Sequence, residues 1–314
     1  MLKNNLETVQ NKIIAACQKT NRNPKDVTLI ARGEHLKQMQ ENGLKFETLD
    51  GNYSVPVKAC TMDNYQDIAD VVFVCVKGYS LEDTIPFLEK ITDAHTVVIP
   101  ILNIYGTGKK LQEKLPGTFV TDGCIYIAAE IKEPGTILMS GKIFRVVYGL
   151  RKDTPADISK KVMPILEQVE KDLADSGITP LLSDFIEKDA LQKFSFVSPM
   201  AALGAGYDIP SAAVQTEGEL RDTFKALIKE VKALSVAMEA PLPDNIVEIN
   251  LKIIDELIRK AEEVLKPQFA NKQVAQFAYT KSGATMDSEI DAISGATITT
   301  DAVVTAVNGG LYYF

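Results

Sequence analysis

Three polar residues each stand directly behind an apolar run: Arg32 after VTLIA (27–31), Lys77 after VVFVCV (71–76), and Asn103 after TVVIPIL (96–102). Short continuous apolar runs rich in β-branched residues suit strands buried on both faces. A polar residue at the carboxyl end of such a strand sits where open α/β sheets bind their ligands. The guanidinium of Arg32 can pair with a phosphate, including the 2′-phosphate that distinguishes NADP from NAD, and Lys37 can assist it. Asn103 offers an amide donor and acceptor, and Lys77 a point charge. Lys193 falls in a helical stretch, and its ammonium can hold and give up a proton. Each has a plainer reading: a surface arginine after a strand, a turn asparagine, a solvated loop lysine, an exposed helical lysine. Gly106-Thr107-Gly108, just past Asn103, is a weak phosphate-loop signal and reads more simply as a turn.

The elements that must position these residues follow from periodicity. Leu2, Leu6, Val9, Ile13 and Cys17 recur at steps of four and three, which predicts a helix at the start, closed by a polar turn with Asn23-Pro24. Residues 34–42 read as a short helix. Asp50-Gly51 marks a turn between strands Leu44–Thr48 and Tyr53–Ala59. A helix over Leu81–Lys90 separates the two long apolar runs, and strand–helix–strand alternation predicts a parallel sheet. Phe119–Glu130, Thr136–Met139 and Ile143–Tyr148 read as further strands. After Pro155 the chain turns helical over Ile158–Leu173, Lys188–Leu203, Glu217–Met238 and Ile246–Leu265, with a short strand near Pro180–Ser183 and Pro267 as the final stop. The fold class is therefore α/β followed by an all-helical part. Four pieces are expected: a helix and turn at 1–25, a parallel α/β domain at 26–154, a helical domain at 155–266, and a Gly/Ala/Ser/Thr-rich appendage at 267–314.

The totals exclude several functions. The 314 residues suffice for two domains, each with its own core. A net charge of −8 argues against nucleic acid and against anionic membrane as partners, since both demand clustered Lys and Arg. Only two histidines occur, His35 and His95, so no His-based metal site is expected. The four cysteines (Cys17, Cys60, Cys75, Cys124) form no CxxC pair and read as reduced thiols of a cytoplasmic protein. No apolar run approaches the roughly 20 residues of a membrane helix, and no signal-peptide pattern is read at the start.

Four stretches resemble the ketopantoate reductase (2-dehydropantoate 2-reductase) family in the family's own order: DVTLIARGEHL (26–36), VCVKGYSLEDTIPFL (74–88), VVIPILNIYG (97–106) and LQKFSF near Lys193. The resemblance spans about 26–257. It implies a Rossmann-like domain followed by a helical substrate and dimerisation domain, NADPH as cofactor, and a small 2-keto acid as substrate. It also implies that Lys193 is the catalytic acid, that Asn103 contacts cofactor and substrate, and that Lys77 faces the nicotinamide. Residues 1–30 resemble the opening of the pyridoxal-phosphate homeostasis family. That family's cofactor lysine has no counterpart in Ala31-Arg32-Gly33, so no pyridoxal phosphate is expected. Residues 268–314 resemble the end of the FMN-binding domains of ion-pumping electron-transfer complexes. The shared word is Asp291-Ala-Ile-Ser-Gly-Ala-Thr297, in which the resemblance makes Thr297 the site of FMN attachment.

Three departures count against a working reductase. The G-x-G-x-x-G loop that cradles the pyrophosphate is absent, as is its strand, and residues 1–25 hold no glycine. Without that strand its neighbours must close up or leave backbone unpaired. Val197 stands where the family usually has Asn, and the family's substrate-binding Ser and Glu fall in the replaced tail. A second reading is therefore a catalytically inactive hybrid or binding protein, and a third a flavin-carrying electron-transfer protein.

Overall fold

The computed structural model describes residues 27–209, 211–269, 271–280, 284–291 and 304. The helix expected in the first 25 residues, the final helix, and Thr297 lie outside the described residues. The remaining chain divides into two compact units, with the boundary between Ala190 and Leu191.

The described residues of the first unit form three sheets. Strand β1 (Thr28–Ile30) leads through helix α1 (Gly33–Asn42) to the β2–β3 hairpin (Leu44–Thr48, Gly51–Val55) and then to β4 (Lys58–Cys60), which pairs with β1 in parallel. The run expected as one strand at Tyr53–Ala59 is split between β3 and β4. Pro56, which has no N–H to give a ladder, stands between them. A separate parallel sheet is formed by β5 (Val71–Val74), β6 (Val97–Pro100) and β7 (Phe119–Val120), joined by helices α2 (Leu81–Ile91) and α3 (Thr107–Lys114). Among the described residues no strand joins β1 to β5. Among the described residues the expected neighbours of the absent strand, β1 and β5, lie in separate sheets.

β6 is fully buried, and its alternation explains why. Val98 and Leu102 pack with Leu81, Leu88, Leu111 and Leu115 of α2, α3 and the turn after α3. On the opposite face Val97, Ile99 and Ile101 meet Val146, Tyr148, Val162 and Leu166. Each such side chain contributes about 1.5–3 kcal/mol of burial. The Tyr148 hydroxyl, buried in this layer, donates to the Leu166 carbonyl at 2.9 Å, so its polar end is satisfied.

The third sheet is built on one strand. Thr136–Met139 and Ile143–Tyr148, expected as separate, are parts of a single 14-residue β9 (Thr136–Gly149). β8 (Asp122–Glu133) runs antiparallel along it, with irregularities between Ile127 and Ala129 and between Ile131 and Glu133. β2 pairs in parallel with the first part of β9, and β10 (Thr179–Ser183) with the last. Helix α4 (Ala156–Asp175) packs on β10 within this first unit. The stretch read as one helical domain from 155 is thus shared between the two units.

The second unit takes up helix α5 (Ile186–Tyr207) from Leu191 onward, a 3-10 turn at Ser211–Val214, helix α6 (Glu219–Ala237) and helix α7 (Ile246–Phe269). α7 runs through Pro267 instead of stopping at it. Leu203, Phe224, Ile228, Ile246 and Ile254 are fully buried. Arg221, buried on α6, forms a two-pronged pair with Asp255 of α7 at 2.8 and 2.9 Å. A short parallel pair, β11 (Ala278–Thr280) and β12 (Glu289–Asp291), follows, with Phe277, Ile290 and Val304 buried together.

Candidate functional site

β5 and β6 are parallel and in register, Val71 opposite Val97 and Val74 opposite Pro100, so their carboxyl ends lie side by side. The Ile101 N–H extends the ladder by donating to the Val74 carbonyl at 3.1 Å. The loops that leave the two strands touch. A Cβ built on Gly78 would lie 2.2 Å from Cδ1 of Ile104, so the Ile104 side chain takes the space that glycine leaves open. Lys77 and Asn103, the neighbours of these two contact residues, are both exposed, as is the Tyr79 side chain. The structure thus brings together the loops of two of the residues singled out by sequence.

The Asn103 loop is pinned at its far end as well. Gly106 takes a left-handed conformation (φ +77°) as the N-cap of α3. The Thr107 hydroxyl donates to the Ile104 carbonyl at 2.8 Å. The Gly108 N–H donates to Asp122 Oδ1, the first residue of β8, at 2.8 Å. A Cβ on Gly108 would stand 2.0 Å from the Thr121 carbonyl oxygen and 2.4 Å from Asp122 Oδ1. Gly106-Thr107-Gly108 is therefore neither a phosphate loop in its own right nor the isolated turn of the plainer reading: Gly106 caps α3 and Thr107 and Gly108 open it, with Gly108 at a close backbone approach. Arg151 approaches Asp122 Oδ2 at 3.6 Å and donates to the Val120 carbonyl at 2.8 Å. Burial pushes the Asp122 carboxyl up, against the pull of Arg151 and the Gly108 N–H. Tyr105 of the same loop has its phenol pushed up to about 12, by burial and then by the Asp122 and Glu187 carboxylates. Glu187, at the start of α5, accepts the Lys152 N–H at 2.8 Å. Sequence reading missed this cluster, because its four members come from a loop, a strand start, a strand exit and a helix start.

Arg32 and Lys37 are placed elsewhere. Arg32 is the exposed, extended N-cap of α1, and Lys37 an exposed residue of that helix, beside the β1–β4 pair and not the β5–β6–β7 sheet. Lys193 lies in the second unit, half-buried on α5. Its helix is tied to α7 by a buried polar link, in which Asn250 Nδ2 donates to the Ser195 carbonyl at 3.1 Å and hydroxyl oxygen at 3.0 Å. Val197 is half-buried one turn further on. Of the flavin word, Asp291 ends β12 and is clasped by Gln268, which accepts the Asp291 N–H at 2.7 Å and donates to its carbonyl at 3.3 Å. Among the described residues no group of three His, Cys, Asp or Glu is placed to hold a metal, and no helix is long and apolar enough to cross a membrane. Among the described residues Cys60, Cys75 and Cys124 take part in no disulfide.

Comparison with known proteins follows the same division. Residues 15–152 match the family model of ketopantoate reductase PanE/ApbA, and residues 219–311 match an FMN-binding domain. The second match begins within α6, well before the tail at which the flavin resemblance was read from sequence. The chain is 24% identical over 208 residues to a Bacillus subtilis protein named uncharacterized oxidoreductase YkpB. That alignment covers 66% of this chain and 65% of YkpB, so the chain spans just under two thirds of that relative. Among solved structures, 2-dehydropantoate 2-reductase of Porphyromonas gingivalis W83 superposes with a TM-score of 0.63 at 24% identity, covering 76% of this chain and 83% of its own. D-mandelate dehydrogenase, solved with NADH and anilino(oxo)acetate, gives a TM-score of 0.64 at 16% identity, covering 77% and 74%. The fold is that of the ketopantoate reductases, a Rossmann-like α/β part followed by helices.

Proposed function

We propose that this chain is a ketopantoate-reductase-like oxidoreductase that reduces a 2-keto acid, 2-dehydropantoate to pantoate, with NADPH. The observation that carries the reading is the Gly78–Ile104 contact, which sets the Lys77 and Asn103 loops together at the carboxyl ends of two parallel strands. That is where an open α/β sheet takes a nucleotide. The same loops fit the nicotinamide end of the cofactor, with exposed polar side chains over a rigid, fully buried strand. Asn103 and Lys77 would hold that end, and Arg32 with Lys37 the 2′-phosphate. When bound, NADPH supplies the hydride. Lys193 holds a proton at Nζ and gives it to the substrate carbonyl oxygen as negative charge grows there. Asn103 orients the substrate through its amide.

A thermal melt with and without NADPH, with NADH as control, tests the cofactor. A ligand that binds only the native state at 100 times its dissociation constant adds about 2.7 kcal/mol. For a unit of this size that is a rise in Tm of about 5–10 °C. NADPH should give it and NADH should not; no rise with millimolar NADPH would remove the reductase reading and leave the inactive hybrid. Turnover is then followed as NADPH absorbance lost on adding 2-dehydropantoate.

A second reading is favoured by the FMN-binding match over 219–311. It makes the C-terminal part a flavin carrier through Thr297. Purified protein would be yellow after denaturation and washing, and Thr297→Ala colourless; colourless wild-type protein ends this reading.

A further inference from the structure

We infer that Asp122 is a positioning residue for the Asn103 loop, and that Arg151 holds Asp122 in place for that work. The inference rests on the reading of Asn103 as a ligand contact. Six residues, 101–106, separate β6 from α3. Their start is fixed by the ladder bond from the Ile101 N–H to Val74. Their end has only the first turn of α3 to hold it, where the backbone N–H groups lack helical partners. Asp122 supplies what is missing. Its Oδ1 accepts the Gly108 N–H at 2.8 Å, so a carboxylate from another strand does the work of a capping side chain. The partial positive charge of the helix start favours an anion there.

A buried carboxylate must itself be held. Asp122 is 13% exposed and Arg151 11%, with Arg151 facing the Oδ2 that Gly108 does not use. Arg151 is anchored in turn on the Val120 carbonyl, at the junction of β7 and β8. Thr121, in between, donates its N–H to the Val98 carbonyl of β6 at 3.0 Å. The chain of contacts therefore starts and ends on the most buried strand of the unit. It fixes both ends of a loop whose middle, Asn103, is exposed. Tyr105 of the same loop lies close enough to feel the Asp122 and Glu187 carboxylates.

The experiment compares wild type, Asp122→Ala and Asp122→Asn, the last retaining an amide oxygen that can accept the Gly108 N–H. Amide hydrogen exchange should be at least tenfold faster over 101–108 in Asp122→Ala. It should be unchanged over β6 and within about threefold of wild type in Asp122→Asn. In the NADPH assay Asp122→Ala should raise KM at least fivefold, and should add nothing further in an Asn103→Ala background. Unchanged exchange in the loop, an equal increase across β6, or full additivity of the two substitutions would overturn the inference. If wild type shows no turnover, the reductase reading fails by itself, and the exchange comparison still decides whether Asp122 fixes the loop.

Discussion

Lys193→Ala is expected to lower kcat for NADPH-dependent reduction of 2-dehydropantoate by about 10²–10⁴-fold, the usual contribution of a positioned general acid. Hydride addition turns a ketone into an alkoxide, and the barrier rises if no proton arrives as that charge develops. An alanine at this position removes the only part of the side chain that can deliver one. The loss should fall on kcat more than on KM, because the interaction strengthens only as the oxygen becomes charged. A structural origin is separable. Lys193 is half-buried, whereas the bond that ties its helix to α7 belongs to Ser195 and Asn250. A fall in rate far larger than any fall in melting temperature separates a catalytic loss from a structural one. Steady-state kinetics of the two proteins, alongside their melts, measures both. A variant with wild-type kcat would remove Lys193 from the chemistry.

The largest effect on stability is expected from Gly108→Ala. The added methyl would face the Thr121 carbonyl oxygen at 2.0 Å and Asp122 Oδ1 at 2.4 Å. The first of these is backbone, and Thr121 is held by its bond to Val98, so it cannot step aside. Relief must come from the Asn103 loop, which moves outward and breaks the Gly108–Asp122 hydrogen bond. Overpacking of this kind costs about 1–3 kcal/mol. Loss of a hydrogen bond to a charged group adds about 1.5–3 kcal/mol. A fall in Tm of about 5–15 °C should follow. Gly78→Ala is the internal control. Its methyl meets only the terminal carbon of Ile104, the free end of a side chain that can change rotamer. A new Ile104 rotamer absorbs the methyl, so the variant should cost less than about 1 kcal/mol and keep Tm near that of wild type. Equal melting temperatures for the two variants would show that the backbone approach at Gly108 is not tight.

A good part of the fold was legible because β-branched runs and helical spacing are local signals. VVFVCV and TVVIPIL became β5 and β6, parallel as expected, since each is apolar on both faces and separated from the other by a helix. Other strands were legible only in outline. Nothing in Ser140-Gly141-Lys142 says that β9 continues through them; its pairing with β8 at 136–139 and again at 144–149 is what makes one strand of the two expected pieces. The chain likewise runs helical through Pro267, where the sequence pattern stops. A proline late in a helix gives up one hydrogen bond, which neighbouring packing can outweigh.

By itself the sequence determined which residues are polar at strand ends (Arg32, Lys77, Asn103), that Lys193 is helical, and that the glycine loop is absent, because residue type and spacing carry that information. Tertiary structure alone decided which of them meet. It set the Lys77 and Asn103 loops in contact through Gly78 and Ile104. It left Arg32 beside a different sheet from those two loops. It also assembled Asp122, Arg151, Glu187 and Tyr105 from distant parts of the chain. Periodicity reports which face a side chain takes and not which neighbour lies across from it. Two residues far apart in sequence become partners only when the strands and helices between them have packed.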